Sequence, residues 1–245
     1  MNLLLFDDGE LSPDGTLRLR DRRAAHAEAV LRVRAGDRVA VGRLGGALGE
    51  GRVLSVAPGE VVLAVTLGTE PPPPSPVELL LAMPRPKILR RVLQAAASMG
   101  VKRLALVGSY RVEKSYFSSP LLGPEALAVQ LRLGLEQGRD TRMPEVLVRR
   151  HFKPFVEDEL DALFPERERL LAHPAAGAPL EALSRAGGRA LLAIGPEGGW
   201  THHEAQELAA RGFRPFSLGP RALRVDAAVA FAVGQAELWL RSGGR

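Results

Sequence analysis

Ala190-Leu191-Leu192-Ala193-Ile194-Gly195-Pro196-Glu197-Gly198-Gly199-Trp200-Thr201 reads as a strand running into a turn and then into a helix. An unbroken apolar strand has no face to give to water, so it belongs inside a sheet covered on both sides, as parallel sheets are. The glycines permit positive φ and close approach of the backbone to a ligand. Thr201 with Glu204 forms a capping box that opens the next helix. Upstream the same alternation repeats. Val77–Ala82 is a second, largely apolar run, interrupted by Glu78. Pro86–Met99 is helical, with Ile88, Val92 and Ala95–Ala97 on one side and Gly100 just past its end. Strand Leu104–Val107, helix Pro124–Gln137, strand Glu145–Val148, helix Pro154–Leu163, strand Arg169–Ala172 and a short helix near Pro179–Arg185 follow. Downstream come helix Thr201–Arg211, strand Pro215–Leu218 and the long helix Asp226–Arg241. Strands alternating with helices make a parallel α/β sheet with helices on both faces.

Before this region the pattern differs. Glu70-Pro71-Pro72-Pro73-Pro74-Ser75-Pro76 is a stiff, extended spacer. Ahead of it, short runs read as strands: Leu17–Arg20, Arg38–Arg43, Arg52–Val56 and Val61–Thr66, with one helix at about Ala24–Val33. The chain therefore divides into a small β-barrel-type domain at 1–70, a proline-rich linker at 71–76 and an α/β domain at 77–245.

The chain has 245 residues and no cysteine, which removes disulfides, thiolate nucleophiles, iron–sulfur clusters and Cys-ligated zinc. Met1–Asp8 has no basic segment and turns acidic after four apolar residues, unlike a signal peptide. No apolar run is long enough to span a membrane. A cytoplasmic protein is expected. Thirty-three basic against 28 acidic side chains leave a net charge of +5, and 29 of the basic residues are arginine. Arginine forks suit phosphate and base edges, but arginine richness beside much Ala, Gly and Pro also fits high-GC coding. Position is more telling. Residues 16–43 hold 8 basic and 3 acidic side chains, and residues 85–115 hold 8 basic and one acidic. Two such clusters suit an extended polyanion; two solvated faces are the plain alternative.

Ligands of parallel α/β sheets bind beyond the carboxyl ends of the strands. Three loops there stand out: His173-Pro174, Gly195–Gly199 and Gly219-Pro220-Arg221. None is a Walker loop or a dinucleotide fingerprint. His202 and His203 lack the second histidine of H-E-x-x-H, so no metal is expected, and no G-x-S-x-G elbow is present. Arg221 and Arg224, three apart, could both face one anionic group or simply lie in solvent, and Asp226 reads as an N-cap or a functional carboxylate.

Ile194–Gly199 (IGPEGG) and Leu218–Arg224 (LGPRALR) together resemble the C-terminal motifs of the ribosomal RNA small-subunit methyltransferase E family (RsmE), in the SPOUT superfamily. His26, Val30-Leu31-Arg32 and Gly36-Asp37 resemble its N-terminal pattern. Gln94 and Gly100 resemble its first catalytic-domain helix, Glu136-Gln137 and Arg142 its middle segment, and His173-Pro174 its cofactor loop. The resemblance implies a PUA-like RNA-binding β-barrel followed by a SPOUT domain with a deep trefoil knot, acting as a homodimer. It implies S-adenosylmethionine as methyl donor and N3 of a uridine in small-subunit ribosomal RNA, naked or assembled, as acceptor. It places the cofactor against Leu171, His173, Pro174, Ile194, Gly195, Pro196, Glu197, Gly198, Gly199, Leu218, Gly219 and Leu223. The chain departs from the family where Val225 and Asp226 stand in place of Thr and Glu, and where Ala95 replaces a Lys.

Uridine N3 carries a proton and is a poor nucleophile until it leaves. The site needs a proton acceptor and a cation for the charge developing on O2 or O4. Arg224 is the expected cation, and Asp226 or Glu197 the expected acid. Arg18, Arg20, Arg22, Arg23, His26, Arg32, Arg85, Lys87, Arg111 and Arg142 are expected to hold RNA. A non-enzymatic RNA-binding ribosome-assembly factor would keep the basic clusters but has no use for both glycine loops. A nicotinamide-dependent reductase would fit the α/β pattern but lacks the fingerprint.

Overall fold

A computed structural model describes residues 2–185 and 187–242. The chain forms two compact units, Met1–Pro73 with Leu131–Met143, and Pro74–Gln130 with Pro144–Arg245.

In the first unit, β1 (Leu4–Phe6), β2 (Thr16–Leu19), β3 (Arg38–Arg43), β4 (Leu48–Ala57) and β5 (Glu60–Thr69) form one sheet in the order β1-β3-β4-β5-β2. Only the β1–β3 pairing is parallel. Alternation sets the faces: Leu17 and Leu19 point inward while Arg18 and Arg20 point out. Leu4 and Phe6 from one edge strand share a core with Leu17 and Leu19 from the other, so the sheet curls around that core. Ala24 and Ala27 cover it from α1 (Arg22–His26) and from the wider π-type turn Ala27–Leu31 that continues it. Arg32, at φ 52°, ends this helix in the left-handed conformation. Gly49 sits at an irregularity in β4, where a Cβ would lie 2.0 Å from the Thr66 carbonyl oxygen.

The expected division at 71–76 is corrected in one respect. Leu131–Met143 belongs with the N-terminal unit. Glu136, 1% exposed, receives a bidentate pair from Arg22 at 2.7 and 2.8 Å. Arg132 pairs with Asp7 at 3.0 Å, and buried Thr141 donates its hydroxyl to the Gly46 carbonyl at 2.6 Å. The boundary thus falls inside the helix Pro124–Gly138.

The second unit is a parallel sheet of six strands: β6 (Val77–Ala82), β7 (Arg103–Val107), β8 (Glu145–Arg149), β9 (Glu168–Ala172), β10 (Ala190–Ile194) and β11 (Arg214–Phe216), in the order β11-β9-β10-β6-β7-β8. Every residue of β6 and β10 is buried, as the unbroken apolar run of β10 requires; in β6 the buried Glu78 is paired with Arg167 at 2.8 Å and Arg189 at 3.3 Å. The unit's helices are α2 (Pro86–Ser98), the first part of α3 (Pro124–Gly138), α4 (Phe152–Pro154), α5 (Leu160–Leu163), α6 (His202–Ala210) and α7 (Val225–Arg241). Helix α2 buries Leu89, Val92, Leu93, Ala96 and Ala97 on one stripe, and α7 buries Val225, Ala228, Val229, Ala232, Val233, Ala236 and Trp239. Helix α7 packs on α2, β10 and β6. Among the described residues no helix is long and apolar enough to cross a membrane.

Candidate functional site

Because β11, β9 and β10 are adjacent and parallel, the loops that leave their carboxyl ends meet at one edge of the sheet. They enclose a cavity of about 180 Å³. His173 and Pro174 come from the loop after β9. Ile194, Gly195, Pro196, Glu197, Gly199 and Trp200 come from the loop after β10. Leu218, Gly219, Arg221, Ala222 and Leu223 come from the loop after β11, and Val225 and Ala228 from the start of α7.

Local chemistry builds each wall. Thr201 accepts from the Glu204 amide at 3.2 Å while its own amide donates to Glu204 at 2.8 Å, the expected capping box, which fixes where the β10 loop enters α6. Gly195 has no room for a side chain: a Cβ there would lie 3.0 Å from the Trp200 backbone nitrogen. Gly199 at φ +71° and Gly219 at φ +112° take conformations that side chains disfavour. His173 anchors its loop by accepting the Ala175 amide at Nδ1, 3.2 Å away, and by donating its own amide to Phe216. Trp200 is buried, with its indole N–H lacking a hydrogen-bond partner among the described residues.

A second cavity of about 460 Å³ opens beside the first, lined by Arg85, Lys87, Ile88, Glu197, Leu223, Arg224 and Val225. Glu197, Leu223 and Val225 form the wall common to both. The Glu197 carboxylate accepts from the Arg85 backbone amide at 3.3 Å. Asp226 lies between two guanidiniums, 3.3 Å from Arg91 and 3.7 Å from Arg224.

Ten of the twelve residues expected around a cofactor line the first cavity. Leu171 does not, being buried within β9, and neither does Gly198, whose carbonyl instead accepts from Arg111. Lining residues outside that expectation are Ala172, Trp200, Arg221, Ala222, Val225 and Ala228. Trp200, directly after the Gly-Gly pair, carried the legible signal. Two readings are corrected. Arg221 and Arg224 do not converge on one group, since Arg221 lines the first cavity and Arg224 the second. Asp226 is not the N-cap of α7: Arg224 occupies that position and Asp226 lies in the first turn.

The residues expected to hold RNA differ in availability. Arg18, Arg32, Arg85 and Lys87 are exposed. Arg20 is largely exposed although paired with Glu60 at 2.8 Å. Arg22 is held by Glu136, and Arg142 lies 3.6 Å from Glu70. His26 is half-buried, with Nε2 lacking a partner among the described residues. Arg111 is tied to Gly198. Arg23 is the clear correction: it is 6% exposed and donates to Glu10, Asp21 and the Leu5 carbonyl, so its guanidinium serves the first unit from within. Among the described residues no group of three or more His, Cys, Asp and Glu is arranged to hold a metal ion.

Residues 71–237 match the family described as RNA methyltransferase domain. The Treponema pallidum ribosomal RNA small subunit methyltransferase E is 32% identical over 98% of this chain and 94% of its own length. The Synechocystis protein of the same name is 28% identical over 94% of this chain and 75% of its own length. Among solved structures, the Neisseria gonorrhoeae ribosomal RNA small subunit methyltransferase E, described as bound to S-adenosyl methionine, superposes with a TM-score of 0.74 at 21% identity, covering 97% of both chains.

Proposed function

The chain belongs to the ribosomal RNA small-subunit methyltransferase E family, and from that premise we propose that it transfers a methyl group from S-adenosylmethionine to N3 of a uridine in small-subunit ribosomal RNA. The observation that carries the proposal is the convergence of the three loops on one cavity beside a second, basic one. The first cavity suits the methyl donor. Ile194, Leu218, Leu223, Val225 and Ala228 give it apolar walls, its glycines leave the backbone bare, and Trp200 brings a buried, unpartnered N–H. When bound, the donor supplies an electrophilic methyl on a cationic sulfur, and the Glu197 carboxylate at the common wall complements that charge.

The second cavity suits the acceptor base. Arg224 offers a guanidinium to the charge that develops on a uridine oxygen as N3 loses its proton. Asp226, engaged by Arg91 and Arg224, orients that guanidinium. Glu197 faces both cavities and is the better-placed proton acceptor. The one-methylene-shorter Asp226 still reaches Arg224, so the departure from the family motif keeps this contact.

On the same premise the curled sheet is a PUA-like RNA-binding domain, the loops of the α/β unit form a deep trefoil knot, and the chain acts as a homodimer in the cytoplasm. The exposed Phe231 and Leu238 on α7 support a partner surface. A non-enzymatic assembly factor would need neither cavity. Titration calorimetry decides between the readings: S-adenosylmethionine is expected to bind and NADH is not. No heat with S-adenosylmethionine overturns the proposal in favour of the assembly factor.

RNA binding through the exposed Arg18, Arg20, Arg32, Arg85 and Lys87 releases counterions. Its affinity is expected to fall with added salt, with a log–log slope of about −0.7 per phosphate neutralised on a single strand. Binding that is indifferent to salt between low and physiological concentrations removes these residues from the RNA path.

A further inference from the structure

Tyr110 is 88% exposed, yet its backbone is fixed on both sides. It lies just past the carboxyl end of β7, on the same sheet edge as the two cavities, because β7 runs parallel to β6. Its amide donates to the buried Glu204 carboxylate at 2.8 Å, the carboxylate that also caps α6. Next to it, Arg111 donates to the Gly198 carbonyl and lays its stem on Gly198, where a Cβ would lie 3.2 Å from the Arg111 Cδ. Val112, 9% exposed, closes the turn by donating its amide to the Ser109 carbonyl at 3.0 Å.

An aromatic ring left in water contributes little to folding, and a rigid backbone beneath it lowers the entropy lost when something packs on it. The cations nearby favour a nucleic acid as that partner. Arg111 and Lys114 are exposed on the same segment, and Arg85 and Lys87 line the acceptor cavity after β6. We infer that Tyr110 is a stacking platform for a nucleobase flanking the target uridine, held in register with the methyl-transfer site through the Glu204 and Gly198 contacts. RNA bases splayed from single strands are read in this way, on aromatic faces beside a basic track.

The inference rests on the reading that this site methylates RNA, and the test separates the two. The probe is a short uridine-containing single-stranded oligoribonucleotide carrying one 2-aminopurine, with S-adenosylmethionine affinity measured in parallel by calorimetry. Tyr110→Ala is expected to weaken oligonucleotide binding about tenfold and to abolish most of the quenching of 2-aminopurine. Tyr110→Phe restores both, since the ring and not the hydroxyl carries the contact. S-adenosylmethionine affinity and thermal midpoint stay at the parent values, because the side chain is in solvent. Oligonucleotide binding by Tyr110→Ala equal to that of the parent overturns the inference. So does a parent protein that binds S-adenosylmethionine but not the probe, because a stacking platform accepts any exposed base. A parent that binds no S-adenosylmethionine overturns instead the methyltransferase reading beneath it.

Discussion

Arg224→Ala is expected to slow single-turnover methyl transfer to small-subunit ribosomal RNA by about 10²-fold while S-adenosylmethionine affinity is unchanged. The separation follows from where the side chain lies. Arg224 lines the second cavity with Arg85 and Lys87 and takes no part in the wall of the first. Its guanidinium is largely exposed and only loosely tied, 3.7 Å from Asp226. A base entering the cavity therefore meets a cation that has not spent its hydrogen-bond donors. The neutral base gains little from that cation before its proton leaves, and the developing anion gains much more, so the loss falls on the rate rather than on binding. Naked RNA and assembled small subunits are both to be tried as acceptors. A rate within about threefold of the parent, about 0.65 kcal/mol of barrier, removes Arg224 from the chemistry.

What the sequence made legible, and what it hid, divides along the range of the interactions involved. Ala190–Ile194 and Val77–Ala82 are strands in the structure with the expected bounds, because a buried parallel strand writes its environment into consecutive residues. The Thr201–Glu204 capping box is equally local. The three loops could be found because a strand's carboxyl end is a place that topology favours for ligands. Strand β1 escaped notice, since three apolar residues at Leu4–Phe6 have no period to read. The attachment of Leu131–Met143 to the first unit escaped for another reason. Helical periodicity shows that one stripe is buried but not against what, and Glu136 meets Arg22 across 114 positions of chain. Asp226 looked like a cap for the same reason: its partner Arg91 is 135 positions away. Counting arginines likewise treats each as available, although Arg103 is bound to Glu145 and to the Leu163 carbonyl.

Arg23 shows the consequence of that last point for stability. Arg23→Ala is expected to lower the unfolding free energy by about 3 kcal/mol, read from the denaturant midpoint. The side chain is almost fully buried and joins three places in the first unit: Glu10 after β1, Asp21 at the N-cap of α1 and the Leu5 carbonyl of β1. Burial by itself would pull the Arg23 proton affinity down, but the hydrogen bonds it donates to Glu10 and Asp21 outweigh it and raise it. The Arg23 hydrogen bond holds Glu10 below its ordinary pKa, and at Asp21 the same partner overcomes a desolvation that acts the other way. Both carboxylates are thus depressed in the folded state. The stability they contribute is complete above their unfolded pKa values and is lost as pH falls through the folded ones, in the region below about pH 5. The parent is therefore expected to lose stability on acidification, and Arg23→Ala to lose less over the same range, because its Glu10 and Asp21 titrate nearly as they do unfolded. Parallel acid profiles for the two proteins would show that the cluster does not act this way. A variant with parent-like stability but weakened RNA binding would return Arg23 to the RNA surface proposed to include its exposed sequence neighbours Arg18 and Arg20.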